Sequence, residues 1–147
     1  MSSAQFDLDS FLPYRLSVLS NRISQSIAQL YAERFGISIT EWRVIAVLGR
    51  YSGLSANQLA ERTAMDKVAV SRALARLVER GLIARSTDDD DRRRSVLALS
   101  ASGKRIYTQI APLALQMEHK LLAGLSQDER VMLDTLLEKL SESLQRL

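Results

Sequence analysis

Leu16, Leu19, Ile23, Ile27 and Leu30 recur at the spacing of one helical face and predict a long first helix over about residues 11–34. Pro13 suits its first turn, where a missing N–H costs nothing, and Gly36 supplies the stop. Thr40 is the expected cap of a second helix ending near Gly49, with Ile39 and Val44 as a hydrophobic staple and Trp42, Ile45 and Leu48 turned inward. Ser55-Ala56-Asn57-Gln58 reads as a capping box, stapled by Leu54 and Leu59, and opens a third helix ending near Thr63. Asp66 can cap a fourth helix reaching about Arg80, with Gly81 after it. Only Thr63-Ala64-Met65 separate these two helices, and so short a turn makes them cross steeply.

Two short apolar segments follow, at 82–86 and 96–99, and the loop between them is wholly polar. They predict a two-stranded hairpin whose tip, carrying Asp91 and then Arg92, Arg93 and Arg94, projects into solvent or onto a partner. Ser100 caps a fifth helix over about 101–123, with Ile106, Ile110, Leu113, Met117 and Leu121 as its seam and a kink expected near Thr108 because Pro112 lies inside it. Ser126-Gln127-Asp128-Glu129 is another capping box, and Leu133, Leu136, Leu137, Leu140, Leu144 and Leu147 continue at helical spacing. A seam carried that far needs something to hold it. The expectation is that the first, fifth and sixth helices pack together across a dimer interface. The fold class that results is mainly α with a small β-hairpin wing: a winged helix-turn-helix joined to a helical dimerisation part.

Composition narrows the chemistry. The chain has 147 residues, 46% of them hydrophobic, enough for one domain with a real core. Its net charge is +3, which permits an anionic partner without demanding one. Cysteine is absent, so disulfides, thiolate metal sites and cysteine-based sensing are excluded. His119 is the only histidine and has no metal-type companions, so no metal site and no cofactor are expected. No nucleophile-base pair and no glycine-rich phosphate loop is present, so no catalytic residue is assigned. No apolar run is long enough to span a membrane, and the first residues lack the basic start and apolar stretch of a secretion signal, which leaves a cytoplasmic location as the expectation.

The fourth helix carries the sharpest signal. At 100° per residue, Val70, Leu74, Leu77 and Val78 fall inward, while Val68, Ser71, Arg72, Ala75, Arg76 and Glu79 fall outward. An exposed Val68 suits a thymine methyl, and Arg72 and Arg76, one turn apart, can reach a guanine edge or a phosphate. Lys67 suits a phosphate, as do Ser55 and Asn57 at the start of the preceding helix. Arg92, Arg93 and Arg94 on a projecting loop suit an adjacent minor groove, with Asp91 orienting a wing arginine. Double-stranded DNA is therefore the expected partner. Asp88, Asp89 and Asp90 oppose that reading and have no account in it.

The whole chain resembles a MarR-family transcriptional regulator. The resemblance rests on Asp91-Arg92-Arg93 followed by Leu97-Ala98-Leu99-Ser100 and Gly103, and on Leu59-Ala60-Glu61-Arg62 and Asp66-Lys67-Val68-Ala69-Val70-Ser71-Arg72. Ser100 departs from the commoner threonine, but both cap. The resemblance implies one MarR-type domain over 1–147, with 11–36 and 101–147 as the helical dimerisation part and 40–99 as the winged helix-turn-helix. It implies a homodimeric repressor on a palindromic operator, released by a small aromatic carboxylate held in a crevice. Candidate effector residues are Arg15 and Arg22 on one flank of the first helix's seam and Ser17, Ser20 and Ser24 on the other, with Trp42 and Tyr107. An architectural DNA-binding protein without an effector shares every DNA-facing feature.

Overall fold

A computed structural model describes residues 4–87 and 95–147. After a single 3₁₀ turn at Leu8–Ser10 come six helices and a hairpin: α1 (Leu12–Phe35), α2 (Ile39–Arg50), α3 (Ala56–Thr63), α4 (Lys67–Glu79), β1 (Ile83–Thr87), β2 (Ser95–Leu99), α5 (Ala101–Leu122) and α6 (Gln127–Gln145). The strands are antiparallel, with Ile83 opposite Leu99 and Thr87 opposite Ser95. This is a mostly helical winged helix-turn-helix.

Local signals set most boundaries. Pro13 sits in the first turn of α1, and Gly36 ends it in the left-handed conformation at φ 63°. Ser55 and Gln58 close the expected capping box on α3. Ser100 caps α5, its Oγ accepting from the Gly103 N–H at 3.1 Å while donating to the Gly81 carbonyl at 2.6 Å. α5 continues unbroken through Pro112.

One cap differs from expectation. Ser38, not Thr40, begins α2, in a complete capping box: the Ser38 Oγ accepts from the Glu41 N–H, and the Glu41 carboxylate accepts from the Ser38 N–H, both at 3.1 Å. Reciprocal satisfaction of two donors outweighs the single bond that Thr40 could offer. A second feature was not expected. Leu54, ahead of α3, pairs with Leu97, with the Leu97 N–H donating to Leu54 O at 2.8 Å and the Gly53 N–H donating to Leu97 O at 2.9 Å. The hairpin base is thus bonded to the helix-turn-helix on one side.

The chain divides into two compact units, 1–113 and 114–147. In the first, Val44, Ile45 and Leu48 of α2 meet Leu59 of α3, Val70, Ala73, Leu74 and Leu77 of α4, and Leu82, Ile83, Leu97 and Leu99 of the hairpin region. Tyr31, Ile37, Val47 and Ile110 complete the buried cluster. Gly103 is required here, because a Cβ at that position would fall on the Leu82 carbonyl oxygen. The second unit holds the end of α5 and all of α6, where Ser126 and Glu129 form the predicted capping box and Arg130 donates to the Leu122 carbonyl. None of the residues of α6 is buried.

Candidate nucleic-acid interface

α4 presents the outer face expected of it. Val70, Leu74 and Leu77 are buried and Val78 is half-buried, while Val68, Ser71, Arg72, Ala75, Arg76 and Glu79 are exposed. Val68 keeps 56% of its surface in solvent, an apolar side chain open to a partner. Asp66 caps the helix by accepting from the Ala69 N–H at 3.0 Å, so that donor is already used; Lys67 beside it is exposed. Ser55 is half-buried because its hydroxyl serves the α3 capping box, whereas Asn57 is exposed. Arg92, Arg93, Arg94 and Asp91, expected at the wing tip, lie outside the described residues, as do Asp88, Asp89 and Asp90.

The two arginines at the end of α4 have further partners that sequence reasoning missed. The Arg76 Nε lies 3.9 Å from the Glu41 Oε1, and the Arg80 Nη1 lies 4.0 Å from Glu41 Oε2. Arg80 also donates to the Gly36 and Phe35 carbonyls, at 3.0 and 3.1 Å. These pairings join residues more than thirty positions apart, which no local pattern reveals. Arg62 on α3 lies over the Tyr51 ring, 3.9 Å from its centroid, with Arg50 also against it at 4.9 Å. The aromatic face holds both cations in place beside the start of the Leu54 bridge.

The expected effector residues separate into groups. Arg15 and Arg22 line a groove of about 530 Å³ along α1 with Asp9, Leu12, Tyr14, Leu16, Val18 and Leu19. Ser20 and Ser24 line a different cavity of about 300 Å³, with Asn21, Gln25, Ile39, Arg43, Ala64 and Met65. Ser17 lines neither and is exposed. Trp42 and Tyr107 also line neither: they stack on one another at 6.1 Å between ring centroids, with Tyr31 6.0 Å beyond Trp42. Tyr107 lies so close to Gly49 that a Cβ there would enter its ring. Burial pushes the Tyr31 hydroxyl up to about 12, against a smaller opposing pull from the Arg43 charge.

Arg43 was not anticipated. Its Nη1 donates to the Thr63 carbonyl at 3.1 Å, and it contributes a cation to the wall of the 300 Å³ cavity. His119 is exposed on α5, and among the described residues no group of three or more His, Cys, Asp or Glu is placed to hold a metal. No helix among them is long and apolar enough to cross a membrane.

Comparison with known proteins gives this geometry a setting. The model of the MarR family matches residues 35–94. The HTH-type transcriptional regulator BilQ of Clostridium symbiosum is 27% identical over 111 residues, covering 76% of this chain and 77% of the relative. A crystal structure of a MarR family transcriptional regulator from Silicibacter pomeroyi DSS matches at a TM-score of 0.78 and 31% identity, over 94% of this chain and 90% of that one. BpsR of Bordetella bronchiseptica, whose DNA binding is regulated by 6-hydroxynicotinic acid, matches at a TM-score of 0.79 and 25% identity, over 94% of this chain and 98% of its own.

Proposed function

The chain belongs to the MarR family of DNA-binding transcriptional regulators, and from that premise we propose that it works in the cytoplasm as a homodimeric repressor on a palindromic operator and is released by a small aromatic acid. The observation that carries the dimer is apolar surface left in water. Leu12, Leu16 and Leu19 of α1 and Leu133, Leu136, Leu137 and Leu140 of α6 are each exposed at helical spacing. Stripes of this kind mark surfaces that a second chain covers. Residues 11–36 and 101–147 then form the dimerisation part and 40–99 the DNA-binding part.

In this reading α4 enters the major groove. Val68, Ser71, Arg72 and Arg76 meet base edges or phosphates, while Lys67, Ser55 and Asn57 hold the backbone. Arg92, Arg93 and Arg94 reach the flanking minor groove, with Asp91 orienting them. Two such surfaces, related by a twofold axis, meet half-sites about 10 bp apart. A repressor needs nothing more than this occupancy.

The effector site fits best in the cavity bounded by Ser20, Ser24, Arg43 and Met65. A guanidinium beside hydroxyls and amides, with Ile39, Ala64 and Met65 as the apolar part of a mostly polar wall, suits a hydroxylated aromatic carboxylate. The regulation of BpsR by 6-hydroxynicotinic acid supports that class. Arg43 also touches the turn between α3 and α4, so a carboxylate that draws on it changes the restraint on that turn. Thermal-shift and gel-shift titrations with a panel of hydroxylated aromatic acids test this. Stabilisation together with loss of DNA binding is expected for at least one acid, and for none of them with Arg43→Ala. Stabilisation that survives Arg43→Ala contradicts the assignment.

A further inference from the structure

We propose that Glu41 and Arg80 form a strut that fixes α4 to the end of α1, and that this strut sets which half-site spacing the protein accepts. The proposal rests on the homodimer reading above. Arg80 follows the last residue of α4. Its planar fork donates from Nη1 to Gly36 O at 3.0 Å and from Nη2 to Phe35 O at 3.1 Å. The last carbonyls of a helix lack partners within it, and a cation there is favoured by the helix dipole. A guanidinium satisfies two adjacent carbonyls at once in a fixed plane, which an ammonium on a flexible stem does not.

Glu41 supplies the counter-charge. It is buried, with 6% of its surface exposed, and its capping box with Ser38 fixes where its carboxylate lies. Its two oxygens face Arg76 and Arg80 at 3.9 and 4.0 Å. At those separations the contacts restrain by charge and not as hydrogen bonds. One buried carboxylate thus faces both the last turn of α4, at Arg76, and its C-cap, Arg80.

The position of the strut gives it its consequence. Only Gly36, Ile37 and Ser38 join α1 to α2, with Gly36 in a left-handed conformation. Arg80 bridges across this joint from α4. In a dimer held through α1, the separation of the two recognition helices is fixed by how rigid this joint is. A stiff joint rejects half-sites at the wrong spacing. A loosened joint lets each α4 follow its own half-site.

The test uses the full chain and an operator recovered from a random DNA pool. Affinities are measured at one fixed salt concentration on duplexes with the native spacing, with one or two base pairs inserted or removed, and with a single half-site. The wild type is expected to lose roughly tenfold or more on altered spacings, comparable to a mismatched base pair. Arg80→Gln and Glu41→Gln are expected to bring that penalty below about threefold, with unchanged preference for the half-site bases in Arg80→Gln, which leaves Arg76 beside Glu41; Arg80→Lys is expected to fall between. Spacing penalties equal to the wild type in all three variants overturn the proposal. So does a uniform loss at every spacing in the milder Arg80→Lys and Glu41→Gln chains, which assigns these residues to folding or direct DNA contact. If the wild type binds the single half-site as tightly as the pair, the dimer reading fails beneath the proposal.

Discussion

The Arg43 guanidinium donates to the carbonyl oxygen of Thr63, tying α2 to the turn that sets the angle between α3 and α4. Thr63 is fully buried, and its hydroxyl is engaged with Ala60 O at 2.8 Å. The next residue, Ala64, has φ 56° and is the one non-glycine residue with positive φ among the described residues. A fixed carbonyl is thus followed by a left-handed alanine. The helix-turn-helix angle is held under local backbone strain.

That strain can be measured. The left-handed conformation costs an L-residue roughly 1–2 kcal/mol, and glycine escapes it at an entropic cost of about 0.5–1 kcal/mol. Ala64→Gly is therefore expected to stabilise the fold by roughly 0.5–1 kcal/mol. Urea titration checks this; a lower midpoint contradicts it.

Gly103→Ala is expected to do the opposite. A Cβ at Gly103 falls on the Leu82 backbone carbonyl, which cannot swing aside as a side chain would. Overpacking costs about 1–3 kcal/mol, and backbone contact places this case at the upper end. The gain of up to about 1 kcal/mol in helix propensity does not offset it. A chemical denaturation curve resolves the difference.

The cap of α2 gives a paired test. Ser38→Ala removes the bond to the Glu41 N–H and is expected to cost about 1 kcal/mol. Thr40→Ala is expected to cost well under half of that, because Thr40 lies within the first turn and has no part in the capping box. Thermal unfolding of the two variants side by side distinguishes them.

Tyr31 predicts a dependence on alkaline pH. Its hydroxyl is raised from 10.0 to about 12 by burial. Between those values the unfolded chain loses the proton while the folded chain keeps it, so the folded state binds more protons and stability falls as pH rises. The contribution is complete below about pH 10 and gone above about pH 12. Tyr31→Phe is expected to flatten this decline, read as unfolding free energy at a series of pH values from 9 upwards.

The fold was legible where the signal was local. Amphipathic spacing, the Ser55 and Ser126 capping boxes and the outward face of α4 all follow from residues a few positions apart. Ser38 and Thr40 are both residues that can cap a helix, and the Glu41 three positions after Ser38, which completes the reciprocal box, is what separates them. The Leu54 bridge to Leu97 and the contacts of Arg43 and Arg80 join segments distant in sequence, so no periodicity reports them. Helical spacing alone separates Arg15 and Arg22 from Ser20 and Ser24 as opposite flanks of α1, but those flanks open onto two distinct cavities, and the one at Ser20 and Ser24 depends on residues remote in sequence, such as Arg43 and Met65.

The most direct measurement is selection of bound duplexes from a random pool at a fixed salt concentration, using wild type and Arg72→Ala, with the mass of the complex determined by sedimentation. The account predicts inverted half-sites about 10 bp apart, two chains per duplex, and a loss of roughly 1–3 kcal/mol together with relaxed base preference for Arg72→Ala. One chain per duplex, or a sequence preference untouched by Arg72→Ala, would contradict it.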